Sequence, residues 1–230
     1  MFRKRADRIK GVAGSLDARR ILITDAVGGA GPGIVQVTAR AGAEILASSA
    51  DTAMLDVVIA GIDTPPLPIV ALPAPAAVHE SLPARIDDLV INVPPGNDIE
   101  SMTVWLGLIE AATVDMQDRG HAGNVVIVSS IERSGRTGSI SSFMQHELED
   151  LATRLAPNGI RANAVRCGPI GSTRRGQPRA TQATRLGHVT VHPVDVGKAV
   201  WFLLNNEMSA AITGATIRVD RGASLTRPEW

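Results

Sequence analysis

The alternation of apolar runs and helix-length segments predicts a doubly wound α/β fold, a Rossmann-like parallel sheet in a three-layer α/β/α sandwich. Three observations carry this. Short β-branched runs recur along the chain with longer segments between them. Several of these runs are apolar on both faces, as strands are when helices cover a sheet from both sides. A glycine cluster stands between the first run and the first helical segment. The 230 residues, 44% hydrophobic and 20% charged, suit one sizeable core. One compact domain is expected over 16–230, preceded by a basic extension over 1–15.

In order, strands are predicted at RILIT (20–24), AEILAS (43–48), LPIVAL (67–72), DLVIN (88–92), NVVIVSS (124–130), IRANAV (160–165) and ATIRVD (215–220). The first helix is expected from about Ala30 to Ala41, and the clearest later ones at Ser101–Arg119, Ser142–Leu155 and Val194–Asn205. Parallel strands joined this way require right-handed crossovers. The proline-broken stretch PPLPIVALPAPAAV (65–78) cannot remain helical and is not a membrane span, and the proline-rich DTPPLP (63–68) reads as a loop leading into the third strand.

Composition excludes several classes of function. A formal net charge of zero gives no global attraction to nucleic acid or to an anionic membrane. The basic residues Arg3, Lys4, Arg5, Arg8 and Lys10 read as a solvated tail. Cys167 stands alone, so no internal disulfide forms, and no apolar run of signal-peptide length follows Met1; a cytoplasmic protein is expected. The five His are scattered, and no metal site is predicted.

The turn TDAVGGAGPG, Thr24 to Gly33, lies directly between strand and helix in the first βα unit. In such a turn glycines let backbone approach a pyrophosphate, and the helix start presents amides to it. Two further blocks are distinctive: APNGIRANAVRCGPIGS at 156–172, and DVGKAVWFLL with AAITGATIRVDRGASL within 195–225. Together, in this order, the three blocks resemble a classical short-chain dehydrogenase/reductase over roughly Leu16 to Leu225.

The resemblance implies a nicotinamide-dinucleotide crevice and a site for carbonyl or alcohol chemistry. Its turn motif, Thr-Gly-x-x-x-Gly-x-Gly, falls on Thr24, Asp25, Gly29 and Gly31, with Asp25 in place of the first glycine. The position that selects NAD or NADP offers Ser48, Ser49 and Ala50, which favour neither. The family's Asn-Asn-Ala-Gly becomes Ile91, Asn92, Val93 and Pro94. Its Pro-Gly-x-Ile-x-Thr becomes Cys167, Gly168, Ile170 and Ser172. The cofactor-site candidates are therefore Thr24, Asp25, Gly29, Gly31, Ser49, Asn92, Gly168, Ile170 and Ser172. With a carboxylate in the turn, the expectation is no NAD(P) binding or weak binding, without preference.

The proton donor is missing. By the resemblance, hydride reduction leaves an alkoxide that is protonated by a Tyr, tuned by a Lys four residues on and placed beside a Ser. Ser130 fits the Ser. Counting forward from it places Phe143 and Glu147 in the Tyr and Lys positions; counting back from APNGIRAN places Thr137 and Ser141 there. Both registers fail alike, because the chain has no tyrosine and its lysines are Lys4, Lys10 and Lys198. Ser101 falls where the family's further Asn stands. His146 could pass a proton, but beside Glu147, Glu149 and Asp150 it reads as a solvated helix residue. Ser130, His146 and Asp150 lack the nucleophile elbow of a hydrolase.

The sequence thus points to a non-catalytic structural or regulatory chain, a homo-oligomer or the partner of an active chain of the same fold. An oxidoreductase with atypical residues and a nucleotide sensor are the alternatives. In the family, helices corresponding to about 98–119 and 142–156 form a dimer interface. Met102, Trp105, Leu106, Ile109 and Ala112, with Met144, Leu148, Leu151 and Leu155, give those helices apolar stripes that serve either interface or core. The Arg-rich loop Thr173–Val191 names no substrate.

Overall fold

The structure is a computed structural model that describes residues 14–62, 69–72, 82, 85–93, 99–131, 138–171, 185–186 and 190–225; within helices, it leaves the side chains of 99–102 and 138–145 undescribed. Seven strands form one sheet: β1 (Arg20–Ile23), β2 (Glu44–Ser48), β3 (Ile69–Leu72), β4 (Asp88–Asn92), β5 (Asn124–Ser130), β6 (Arg161–Cys167) and β7 (Thr216–Val219). Their spatial order is β3-β2-β1-β4-β5-β6-β7, with every pairing parallel. The predicted doubly wound sheet is the fold observed, with strand boundaries differing by at most two residues from those read in the sequence.

The helices are α1 (Gly31–Arg40), α2 (Thr52–Ala60), α3 (Ile99–Asp118), α4 (Gly138–Leu155), α5 (Pro193–Leu204) and the single turn α6 (Asn206–Ser209). Alternate strand residues point to opposite faces, so the core divides in two. On one face Ile21, Ile23, Ile45, Val90, Val126 and Val128 pack with Ile34 and Val35 of α1 and Val196, Val200 and Leu203 of α5. On the other, Leu22, Leu89, Ile91, Val125 and Ile127 pack with Leu108, Ile109 and Met116 of α3 and Leu148, Leu151 and Leu155 of α4. Each such aliphatic side chain, fully buried, contributes about 1.5–3 kcal/mol.

Burial decides the role of most of the two stripes. Trp105, Ile109, Ala112, Leu148, Leu151 and Leu155 are buried against the sheet, whereas Leu106 is 40% exposed. Those six are core; Leu106 and, further along α3, Val114 at 47% form the outward apolar surface. Helix α4 begins at Gly138, earlier than its sequence suggested, so residues 142–147 lie beyond its first turn.

Polar groups secure the sheet's amino-terminal edge, opposite the glycine turn. Asp88 is fully buried and accepts from Arg19 Nε at 2.7 Å and Nη2 at 2.5 Å, and from the Asn124 amide nitrogens. Burial raises its carboxyl above the ordinary range, although Arg19 and Asn124 pull it down. Next to it, Asp87 accepts from the Arg20 backbone and from Arg85 and Arg119. These bonds join β1, β4 and the end of α3.

Candidate functional site

In an open α/β sheet, ligands bind beyond the carboxyl ends of the strands where the strand order reverses. Here that point lies between β1 and β4, and Thr24, Asp25 and Asn92 stand at it. The Asn92 backbone N–H donates to Thr24 Oγ1 at 3.0 Å. The Asn92 side-chain amide donates to the carbonyls of Asp25 at 2.9 Å and Gly28 at 3.0 Å, clamping the turn from across the crevice. The Asn92 backbone and side-chain N–H groups thus hold protein to protein across the crevice.

The turn itself is unusual. Asp25 has φ 44°, the left-handed region that glycine enters freely and that other residues enter at a cost. Its carboxylate folds back over Gly28: a Cβ at Gly28 would lie 2.7 Å from Asp25 Cγ and 2.8 Å from Oδ1. Burial raises the Asp25 carboxyl above its ordinary value, and a bond from the Gly28 amide offsets part of this. Gly28 is the partner the sequence reading passed over; its only signal was a second glycine directly before Gly29.

The head of α1 offers little to an anion. The Gly31 N–H donates to Gly28 O at 2.7 Å, Pro32 has no N–H, and the Gly33 N–H donates to Ala30 O at 3.0 Å. The Gly31 and Gly33 amides are thus turned inward, beside the Asp25 carboxylate.

Other candidates gather nearby in part. Gly29 faces Ile170, whose Cδ1 would lie 3.9 Å from a Cβ at Gly29. Ser49 is buried at the end of β2, its Oγ accepting from the Asp51 N–H at 3.0 Å while Asp51 caps α2 through Met54. Gly168 supports the β6–β7 end: its N–H donates to Val219 O, and a Cβ there would meet the Asp220 backbone at 2.9 Å. Gly31 also serves packing, since a Cβ would lie 2.6 Å from the Ala26 carbonyl carbon. Ser172 lies outside the described residues.

A family model described as enoyl-(acyl carrier protein) reductase matches residues 98–224, more than half of the chain. The chain belongs to this family of short-chain dehydrogenase/reductases. No curated protein sequence matches it. Among solved structures, a 3-oxoacyl-[acyl-carrier protein] reductase from Brucella melitensis is 20% identical with TM-score 0.74, covering 92% of this chain and 93% of its own. An oxidoreductase of the short-chain dehydrogenase/reductase family from Burkholderia thailandensis is 24% identical with TM-score 0.75, covering 91% and 94%. BdcA, solved in complex with NADPH, is 19% identical with TM-score 0.70, covering 91% and 96%. At these identities the likeness shows the shared fold.

Within that family frame, Ser130 ends β5, half-buried and in register with Cys167 of β6. The Cys167 thiol donates to Ser129 O at 3.3 Å, and burial pushes its pKa up to about 11, so it is no thiolate nucleophile. Phe143 and Ser141 lie on α4 with undescribed side chains, and Thr137 falls outside the described residues. Glu147 is half-buried and His146 exposed on the same helix. Lys198 lies on α5 and pairs with Asp195 at 3.3 Å, at another place in the fold from α4. Among the described residues, no three His, Cys, Asp or Glu side chains converge as metal ligands, and no helix is long and apolar enough to cross a membrane.

Between α3 and α4 lies a cavity of about 450 Å³, floored by Ile91 and Ile127 and rimmed by Leu106, Glu110, Glu147 and Arg154.

Proposed function

We propose that this chain is a non-catalytic short-chain dehydrogenase/reductase that acts as a structural or regulatory subunit, paired with itself or with an active chain of the same fold. The observation that carries this is the complete absence of tyrosine, together with only three lysines, of which Lys198 on α5 is engaged by Asp195. Without a donor of suitable pKa, an alkoxide formed by hydride transfer is not protonated in place, and general acid catalysis typically contributes about 10²–10⁴-fold. NAD(P) is bound weakly or not at all, as the Asp25 carboxylate disfavours a second anion in its turn.

A panel of ketones and alcohols assayed with NAD(H) and NADP(H) tests the first part; traces of turnover are expected. Robust turnover abolished by Ser130→Ala overturns it and supports the second reading, an oxidoreductase on carbonyl or alcohol substrates with atypical residues. That reading draws on the Asn92-clamped crevice and on Ser130 at the end of β5. Co-expression with chains of the same fold tests the pairing.

A further inference from the structure

The carboxyl end of β7, the edge strand beyond β6, carries a cluster of arginines. Arg218 is exposed on β7 itself, in register with Arg166 of β6. Just past the strand, Arg221 is half-buried, and its Nη2 donates to Leu186 O at 2.7 Å while the Leu186 N–H donates to Arg221 O at 3.1 Å. Arg185, exposed, packs its stem on the same turn: a Cβ at Gly222 would lie 2.9 Å from Arg185 Cβ, and Arg185 Nη2 reaches Leu225 O at 3.5 Å.

Arg221 stands out within this cluster. Its φ of 54° lies in the left-handed region, which a residue with a side chain enters at a cost. Its Nε is buried and has no hydrogen-bond partner among the described residues, a second cost. Its bond to Leu186 goes to a neutral carbonyl, and among the described residues neither it nor Arg185 nor Arg218 forms an ion pair. Asp220, the carboxylate between Arg218 and Arg221 in sequence, is buried and turned onto the Gly222 and Ser224 amides at 2.8 Å and 3.0 Å. We propose that Arg221, with Arg185 and Arg218, forms a binding site for a compact oxyanion, a phosphate or carboxylate group. A guanidinium offers Nε–H and a terminal N–H to two oxygens of one such group, and the ligand supplies the acceptor that the buried Nε–H lacks. Arg185 and Arg218 add the positive field that draws the anion in. The site is separate from the glycine turn, since β4, β5 and β6 stand between β1 and β7, and it goes beyond the subunit reading by giving the chain a ligand of its own.

Inorganic phosphate and succinate are the probes, each titrated near neutral pH with sodium chloride holding the ionic strength constant. Calorimetry should show saturable binding of one of them with a Kd of about 1 mM or tighter, and Tm should rise with its concentration. The probe that binds identifies the group as phosphate or carboxylate. Arg221→Gly removes the guanidinium and suits the left-handed backbone. Without probe it should melt no lower than wild type, yet it should bind at least about tenfold more weakly. Arg221→Lys, a point charge without the fork, should fall between the two. Arg218→Ala should weaken binding by a smaller factor, and Arg40→Ala, at the far end of α1, should leave it unchanged. Wild-type protein that binds neither probe saturably, a folded Arg221→Gly that binds as wild type does, or an equal loss in Arg40→Ala overturns the proposal. Ketone turnover overturns the non-catalytic reading instead, so the two failures are distinguishable.

Discussion

Gly33 of α1 and Gly197 of α5 pack backbone against backbone: a Cβ at Gly197 would collide with the Gly33 carbonyl, lying 2.7 Å from its carbon, and one at Gly33 would reach Val194 N at 2.5 Å. The two helices cover the same face of the sheet and bring the head of α5 beside the glycine turn. Glycine at these positions is a requirement of contact between helices, independent of any cofactor.

Gly197→Ala is therefore expected to destabilise the fold. Helix propensity alone would favour Ala by about 1 kcal/mol. Backbone cannot yield as a flexible side chain does, and overpacking costs about 1–3 kcal/mol or more. A fall in Tm of several degrees in differential scanning calorimetry is expected; a rise would show that the helices separate freely.

Asp88→Ala should be among the most damaging single changes at the polar edge. It removes the acceptor for two Arg19 bonds and for Asn124. Breaking one side of a buried ion pair costs about 3–5 kcal/mol. Denaturant titration of Asp88→Ala, Arg19→Ala and the double variant measures it: the double should cost clearly less than the sum.

Acid should act on the aspartates with two opposite signs. Burial raises Asp87, but the Arg20 amide, Arg85 and His121 outweigh it and hold the carboxyl below its usual value; Asp220, with Ser224, Gly222 and Arg218, behaves likewise. A lowered folded pKa gives stability that is present above the unfolded value, about 3.9, and lost as pH falls through the folded one. Asp25 is raised, so its contribution is complete below about pH 3.9 and lost as pH rises through the folded value. Asp87→Asn should thus lower Tm near neutrality, with the deficit vanishing in strong acid. Asp25→Asn should raise Tm near neutrality, with the gain vanishing in acid. Melting curves across pH that show the reverse order would contradict these assignments.

Local patterning made the sheet readable from sequence, since runs buried on both faces are apolar throughout and glycine interrupts them. Helix α2 was not singled out because TAMLDVVIA is apolar nearly all round yet buries only Leu55; its start rests on the Asp51 cap. The substitution at Asp25 was visible, but the left-handed backbone and the fold onto Gly28 arise from three-residue geometry that composition does not encode. Arg19 and Asp88 pair across 69 residues, a contact that only the β1–β4 pairing creates. The apolar stripes of α3 and α4 were ambiguous in principle, because core and interface select the same side chains.

The surface left over from that ambiguity gives the last prediction. On α3, Leu106, Glu110 and Val114 stand four residues apart along one outward stripe, with Leu106 and Val114 both exposed. Leu106 and Glu110 also border the cavity between α3 and α4, where Glu147 and Arg154 supply both signs of charge. An isologous pairing places the same patch on both partners, so a surface carrying both charges can complement itself. The chain is expected to be oligomeric through this face, burying on the order of 1,600 Å² in total. Leu106→Glu places a carboxylate at the centre of the patch, beside Glu110, and should shift the species towards monomer in light scattering at about 100 μM without lowering Tm by more than about 2 °C, as expected of a surface change. Wild-type protein that is monomeric under those conditions, and that captures no chain of the same fold on co-expression, would remove the subunit role and leave nucleotide sensing as the reading to pursue.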